Sequence, residues 1–213
     1  MLRRIVSYVF LALLLPVSLG CAAEDSKYKA GVDYEVLPQA VRTADPAKIE
    51  VNEVFAYTCG HCFNFEAVLE PWVATLADDV DMQRTPAVWQ PAMELYARAY
   101  YSASMLKVLD QVHMPIFEAI HVKRDPIQTE QDLVKYFVAV GVSAEKFSQV
   151  YNSFGMSSMV NQAKARMRGY RTQGTPEMVV NGKYRVSSRM SGGFEGMIAV
   201  ANYLIAKERA AAQ

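Results

Sequence analysis

Two cysteines three positions apart, Cys59 and Cys62, are the residues of this chain best suited to chemistry. A β-branched and aromatic run at 49–57, typical of a buried strand, precedes them, and an apolar run at helical spacing, 63–72, follows. Cys59 is therefore expected at the N-terminus of a helix, where unpaired N–H groups and the helix dipole stabilise a thiolate. Two thiols at this spacing can also close a disulfide within one helical turn.

A lowered pKa makes a cysteine sulfur a nucleophile and a good leaving group, so the pattern predicts redox chemistry. His61 lies between the two thiols and is expected to give the Cys59 thiolate a donor or a positive charge. The same spacing supplies half of a zinc site, but zinc needs about four ligands. The chain has no second cysteine pair or Cys/His cluster to complete one. An inert structural disulfide is the remaining alternative.

The first 23 residues have the three parts of an export signal. Arg3 and Arg4 precede an apolar stretch, residues 5–15, that is short for a bilayer span, and small residues follow. Export would place the mature protein where disulfides persist. Cys21 leaves a second outcome open, because the residues before it resemble the end of a bacterial lipoprotein signal. Lipidation at Cys21 would anchor the protein to a membrane.

Composition and charge argue against one class of function, nucleic-acid binding. The 213 residues include 22 basic and 22 acidic side chains, and 52% are hydrophobic, which suits one domain or one domain with an insertion. No stripe of Lys and Arg stands out, and we interpret Lys123, Arg124 and the basic residues of 166–171 as ordinary solvated helix charges. The sequence therefore predicts no nucleic-acid binding.

The elements that position the cysteines follow from local patterns. A short strand is predicted at 34–37 and a further strand at 81–85, followed by a helical block from about 91 to 169, a β-hairpin around Asn181-Gly182, and a last helix at 194–209. Within the helical block, residues 129–132 have the form of a capping box. Strand-bearing segments flank the helical block, so it is predicted to be an insertion within one α/β domain. The predicted boundaries are 1–23 for the signal peptide, 24–90 and 170–213 for the two parts of the α/β domain, and 91–169 for the insertion.

Four motifs in combination resemble the DsbA family of bacterial periplasmic thiol oxidases. They are Glu-Val-Phe-Ala-Tyr-Thr-Cys-Gly-His-Cys at 53–62, Met-Pro-Ile-Phe-Glu-Ala-Ile at 114–120, Asn-Ser-Phe at 152–154, and Gly-Thr-Pro at 174–176 leading into Val-Asn-Gly-Lys-Tyr at 180–184. The resemblance covers residues 27–209 and implies a thioredoxin fold with an inserted all-helical domain. It also implies periplasmic localisation.

The resemblance assigns roles residue by residue. It implies that Cys59 is the exposed nucleophile, Cys62 the buried resolving thiol and His61 the stabiliser of the thiolate. Thr175 and Pro176 would form the substrate-binding loop, with Pro176 as a cis-proline facing the disulfide and the Thr175 backbone free to pair with an extended substrate.

Two positions depart from the family pattern. Gly60 stands where well-known members have proline, and Thr175 stands where valine is frequent before the cis-proline. Both departures leave the reaction type intact and bear on the oxidising strength.

Glu53 is the candidate proton carrier. It lies six positions before Cys59 in an apolar strand, where a carboxylate is costly unless it is paired or protonated. We predict a buried acid that moves protons for Cys62, with Arg84 of the adjoining strand as its partner. A solvent-facing edge glutamate with an incidental arginine is the alternative.

His113 and His121, eight positions apart, are interpreted as ordinary core or surface histidines that bind no metal.

The sequence thus predicts a monomeric oxidase that donates the Cys59–Cys62 disulfide to exported cysteine-containing proteins, without a metal or organic cofactor. A DsbB-like membrane quinone reductase would reoxidise it. Gly60 and Thr175 favour one rival, a disulfide reductase or isomerase of the same fold. A second rival, from another class, is a thiol-based Cu(I)-binding module, since soft sulfur ligands suit Cu(I).

Overall fold

A computed structural model describes residues 27–212 of the chain. The predicted signal peptide and Cys21 lie outside the described residues. The strands are β1 (Glu35–Val36), β2 (Ile49–Phe55), β3 (Val80–Pro86), β4 (Glu177–Val180) and β5 (Tyr184–Ser187). The α-helices are α1 (Gly60–Val73), α2 (Glu94–Met105), α3 (Leu109–His121), α4 (Glu130–Val138), α5 (Ala144–Tyr151), α6 (Phe154–Tyr170), α7 (Ser188–Ser191) and α8 (Phe194–Ala211), and Pro91–Met93 forms a short 3₁₀ turn.

The strands form one sheet in the order β1-β5-β4-β2-β3. β2 runs parallel to β3 and antiparallel to β4, so it is bonded on both edges. Six of its seven residues are buried, which explains the continuous apolar pattern that predicted a central strand. The predicted order of elements is confirmed, although β1 is shorter than the Tyr34–Leu37 strand expected and the four-residue α7 has no sequence signal strong enough to predict it.

Local signals explain two of the confirmed boundaries. The Thr129 side chain accepts from Asp132 N–H and the Asp132 carboxylate accepts from Thr129 N–H, which is the predicted capping box at the start of α4. The Asn181-Gly182 turn of the β4–β5 hairpin has positive φ at both residues. A Cβ at Gly182 would lie 1.9 Å from the Val41 carbonyl oxygen, so the turn also needs glycine for this close approach.

The helices α2 to α5 bury an aromatic and aliphatic core that continues into the sheet. Phe117, Phe137 and Phe147 are fully buried there, in the same cluster as Phe55 from the end of β2 and the thiol of Cys62. The inserted helices therefore form one wall of the cysteine environment. All four helices fall within the predicted insertion 91–169, whose boundaries stay a prediction.

Residues 27–212 contain no helix that combines the length and apolarity needed to cross a bilayer.

Candidate redox site

Cys59 caps the N-terminus of α1. It has extended backbone angles, φ −96° and ψ 113°, and its carbonyl accepts the first helical hydrogen bond, from Phe63 N–H at 3.1 Å. The strand β2 ends at Phe55, so three residues carry the chain from the sheet to the thiol. Cys59 is half-buried, and its Sγ lies 3.3 Å from the Thr175 carbonyl oxygen, to which the protonated thiol donates. The helix start thus presents this sulfur at the surface.

The pKa of Cys59 is lowered to about 5, chiefly by a hydrogen bond from the Cys62 thiol. Burial opposes this shift, whereas contacts with Thr175 and with the backbone N–H groups of Cys62 and His61 support it. The N–H groups of His61 and Cys62 are the unpaired donors of the first helical turn, which the sequence predicted would face the sulfur. The Cys59 side chain is therefore a thiolate at neutral pH.

Cys62 has the opposite environment. It is 0% exposed, and its sulfur accepts a hydrogen bond from Ala56 N–H at 3.5 Å. Burial raises the pKa of Cys62 far above the ordinary thiol value, and the neighbouring Cys59 and Glu53 raise it further. An incoming group from solvent can reach only Cys59.

The loop before β4 faces the Cys59 sulfur. The Thr175–Pro176 peptide bond is cis, as the sequence predicted, and Pro176 is buried while Thr175 is half-buried. These two residues also line a cavity of about 520 Å³ that extends toward Glu35 and Arg189. The cavity therefore begins at the loop that contacts the Cys59 sulfur.

His61 contributes less than its position in the motif suggested. Its side chain is exposed, and among residues 27–212 the imidazole makes no hydrogen bond or ion pair. The contribution of residue 61 to the lowered Cys59 pKa comes from its backbone N–H.

Glu53 is fully buried on β2, directly opposite Arg84 on β3 in the sheet register. Arg84 Nε donates to Glu53 Oε2 at 3.0 Å, and the same guanidinium also bonds Glu66 and Glu70 of α1. The alternative of a solvent-facing edge glutamate is therefore wrong, and the predicted partner is correct. Glu53 Oε1 is buried without a hydrogen-bond partner.

Burial raises the pKa of Glu53 to about 8, and the Glu66 charge adds to the shift while Arg84 opposes it. Burial also disfavours ionised Glu66, but the hydrogen bond from His113 and the Arg84 charge outweigh it and lower the pKa of Glu66. Two buried carboxylates thus differ in proton affinity, with Glu53 protonated near neutral pH and Glu66 ionised.

The two histidines interpreted as ordinary both hold Tyr57, in the loop that leads to Cys59. The Tyr57 hydroxyl donates to His113 Nδ1 at 2.7 Å, and His113 Nε2–H donates to Glu66 at 3.3 Å. His121 Nε2–H donates to the Tyr57 carbonyl oxygen at 2.8 Å, and its ring stacks on Phe63 at 5.3 Å. Two acidic residues in the otherwise apolar α1 pattern, Glu66 and Glu70, were the only sequence signal for this network. No sequence signal predicted the histidine contacts.

Gly60 is the first residue of α1, and a Cβ there would lie 3.9 Å from His121 Nδ1, an ordinary contact distance. A Gly60→Pro variant is expected to fold, since proline suits the first helical position. It should also be more oxidising, because a fixed φ holds the N–H groups of His61 and Cys62 in place against the Cys59 thiolate. Equilibrium titration of both proteins against glutathione buffers measures the change. An equal or more reducing potential would contradict the prediction.

A cysteine pair split between a helix terminus and the core, beside a cis-proline loop at the end of a central strand, defines a thioredoxin-fold thiol:disulfide oxidoreductase. Residues 76–204 match the family model described as the DSBA-like thioredoxin domain. The chain is 38% identical over 206 residues to the thiol:disulfide interchange protein DsbA of Pseudomonas aeruginosa, covering 96% of this chain and 98% of that protein. The DsbA of Azotobacter vinelandii is 34% identical over 213 residues, covering 99% and 100%. The chain belongs to the DsbA family.

Solved structures agree with this assignment. The crystal structure of Pseudomonas aeruginosa DsbA has a TM-score of 0.83 at 38% identity, covering 87% of this chain and 96% of that one. The DsbA of Xylella fastidiosa has a TM-score of 0.81 at 36% identity, covering 86% and 98%. The protein therefore has the predicted fold and is a DsbA-like disulfide-introducing oxidoreductase.

Proposed function

We propose that the oxidised protein donates a Cys59–Cys62 disulfide to newly exported, cysteine-containing proteins in the periplasm. The observation that carries this proposal is the contrast between the two sulfurs, one half-exposed at a helix N-terminus and one fully buried. A substrate thiolate attacks Cys59 Sγ, and the bond to Cys62 breaks, so that Cys62 leaves with the electron pair. A second substrate thiolate then attacks the substrate sulfur, forms the substrate disulfide and releases Cys59 as a thiolate.

The lowered Cys59 pKa supports an oxidase role. A thiolate stabilised in the reduced protein makes the disulfide form energetic and Cys59 a good leaving group in the second step. Cys62, by contrast, must gain a proton when it leaves, because its buried sulfur disfavours a charge. Glu53 is the proposed source of that proton, and Arg84 positions its carboxyl group.

Other parts of the proposal concern partners and location. A DsbB-like membrane quinone reductase would accept the electrons and restore the disulfide, and the protein would work as a monomer without a metal or organic cofactor. Removal of residues 1–23 would release the protein into the periplasm, whereas lipidation of Cys21 would tether it to the membrane.

The direction of exchange tests the oxidase proposal against the reductase or isomerase alternative. Oxidised protein mixed in equal amount with a reduced, unfolded disulfide protein should lose its own disulfide while the substrate gains one. Acid quenching and thiol alkylation, followed by mass spectrometry, count the disulfide lost by the protein and the disulfide gained by the substrate. In glutathione buffers, the Cys59–Cys62 pair should stay largely reduced under conditions that keep ordinary protein disulfides oxidised. A pair that stays oxidised there would favour the reductase.

Glu53→Gln is expected to slow exchange by about tenfold or more, since glutamine fills the same space but cannot transfer a proton. The wild-type rate of Cys62 release should fall as the pH rises through about 8, where Glu53 loses its proton, and the variant should lack this fall. Stopped-flow mixing with reduced peptide across this range measures both effects. Glu70→Gln, which touches the same guanidinium from an exposed position, is the matched control. An unchanged pH profile in Glu53→Gln would contradict the role.

Glu53 also links pH to stability. Because its pKa is raised in the folded state, its stabilising contribution is complete below the ordinary glutamate value near 4.5 and is lost as the pH rises through about 8. The fall in the free energy of unfolding between about pH 4.5 and pH 8, measured by urea unfolding, should therefore be smaller in Glu53→Gln.

A further inference from the structure

A second cleft lies on the α6 side of the redox site. The loop after β3 forms one wall and the last turns of α6 form the other, and they enclose about 470 Å³. Val88, Trp89 and Pro91 supply an apolar rim, and the 51% exposed Trp89 is among the most exposed large apolar residues of the described chain. The α6 wall carries cationic side chains.

The cleft has an excess of positive charge. Lys164, Arg168 and Arg171 line it, with Glu94 as the only acidic lining residue, and Glu94 is already paired with Lys164 at 2.5 Å. Arg168 and Arg171 are exposed, and within residues 27–212 neither guanidinium has an ion-pair or hydrogen-bond partner. Two unpaired arginines beside an exposed tryptophan are the residue types that dominate binding at protein interfaces.

The sequence analysis interpreted the basic residues of 166–171 as solvated, and Arg168 and Arg171 are exposed as expected, but Arg166 differs. Arg166 pairs with the buried Glu50 at 3.5 Å and points away from the cleft-lining set. Arg171 holds the left-handed C-cap of α6 at φ 53°, a position where glycine is the usual residue. An arginine accepted there is consistent with a use for its side chain beyond ending the helix.

The cleft is near the redox site. Met167 lines the cleft, and it packs in the same apolar cluster as Cys59 and Ala87. Thr172 lines the cleft as well, three residues before Thr175, whose carbonyl contacts the Cys59 sulfur. The cleft and the Cys59 sulfur therefore share one apolar cluster and one short segment, which places the cleft within reach of a polypeptide joined to Cys59.

We propose that this cleft binds an acidic segment of the substrate polypeptide next to the cysteine that reacts with Cys59. The inference rests on the proposed oxidase function and adds a substrate preference to it. Glutamate or aspartate side chains would pair with Arg168 and Arg171 through the planar guanidinium groups, which match carboxylates in two-point contacts. Apolar neighbours in the same segment would pack on Trp89 and Pro91. An inorganic anion would use the arginines alone and leave this apolar rim uncovered.

Two dithiol peptides that differ at three positions test the proposal. One has three glutamates on one side of the first cysteine, and the other has three glutamines at the same positions. Wild-type oxidised protein should oxidise the glutamate peptide about threefold to tenfold faster at low salt, as expected for two exposed ion pairs, and the preference should shrink as the ionic strength rises. In Arg168→Gln/Arg171→Gln the ratio of the two rates should approach one. In Lys48→Gln/Lys146→Gln, which removes two exposed positive charges elsewhere, the ratio should stay at the wild-type value.

Binding without chemistry provides a second readout. A cysteine-free glutamate peptide should change the fluorescence of Trp89 but not that of a Trp89→Phe variant, since the other tryptophan, Trp72, is 8% exposed. Inorganic phosphate that produced the same change at the same concentration would replace the peptide proposal with a simple anion site. Equal rates for both peptides, or equal losses in the two double variants, would overturn the proposal. Failure to oxidise either peptide or dithiothreitol would instead overturn the proposed function.

Discussion

In a Cys62→Ser variant, mixed disulfides between Cys59 and exported proteins are expected to accumulate, whereas in the wild-type protein they are short-lived intermediates. Cys62 is the only other thiol in the described structure, and it lies directly behind Cys59, where it can attack the mixed disulfide and reverse it. A serine hydroxyl cannot perform that attack, so the covalent intermediate should persist until a substrate thiol resolves it. Acid quenching, alkylation and non-reducing electrophoresis should show reductant-sensitive complexes that wild-type protein forms only in trace amounts.

The reciprocal variant provides the control. Cys59→Ser should form no such complexes, because Cys62 is 0% exposed and its raised pKa keeps it protonated. In the reduced wild-type protein, iodoacetamide near neutral pH should label Cys59 and leave Cys62 unlabelled until the protein unfolds. Complexes through Cys62, or alkylation of Cys62 before Cys59, would reverse the assignment of the two sulfurs.

The sequence predicted those parts of the site that depend on neighbouring residues along the chain. The strand–helix pattern around the cysteines placed Cys59 at the start of α1, because apolar periodicity is a local signal. The cis-proline came from the family resemblance, since the Thr175-Pro176 dipeptide by itself also suits an ordinary turn. The pairing of Glu53 with Arg84 followed from placing both residues on adjoining strands.

The structure adds the contacts that join distant segments. His113 and His121 are spaced so that one reaches the hydroxyl of Tyr57 and the other its carbonyl, but this depends on how α3 packs beside the loop. A sequence motif also does not give the direction of a side chain. The imidazole of His61, which is exposed although the motif places it between the two cysteines, is an example. The sequence could not predict the basic cleft, because only the packing of the loop at Trp89 opposite α6 brings Lys164, Arg168 and Arg171 to one wall of it.

The reduced protein is expected to be more stable than the oxidised protein, the reverse of a structural disulfide. Reduction creates the Cys59 thiolate, whose pKa is about 5 in the folded state against an ordinary thiol value of 9.0. A depressed pKa stabilises the fold fully above the ordinary value and loses this effect as the pH falls through about 5. Since Cys59 is half-exposed, the gain should be smaller than the roughly 1.4 kcal/mol per unit that a fully effective shift would give.

Melting curves of the two redox forms across this pH range test the argument. The reduced form should melt at the higher temperature near pH 7 to 8, and the gap should close as the pH approaches about 5, because Cys59 then becomes protonated in both folded and unfolded chains. The disulfide opposes this difference only weakly, since it closes a loop of two intervening residues and restricts the unfolded chain little. Cys59→Ser, which cannot form the disulfide, should melt identically with and without reductant and so controls for the reductant itself. An oxidised form that melts higher throughout would mean that the Cys59 thiolate is too weakly stabilised to drive disulfide donation, and the reductase alternative would then account better for the site.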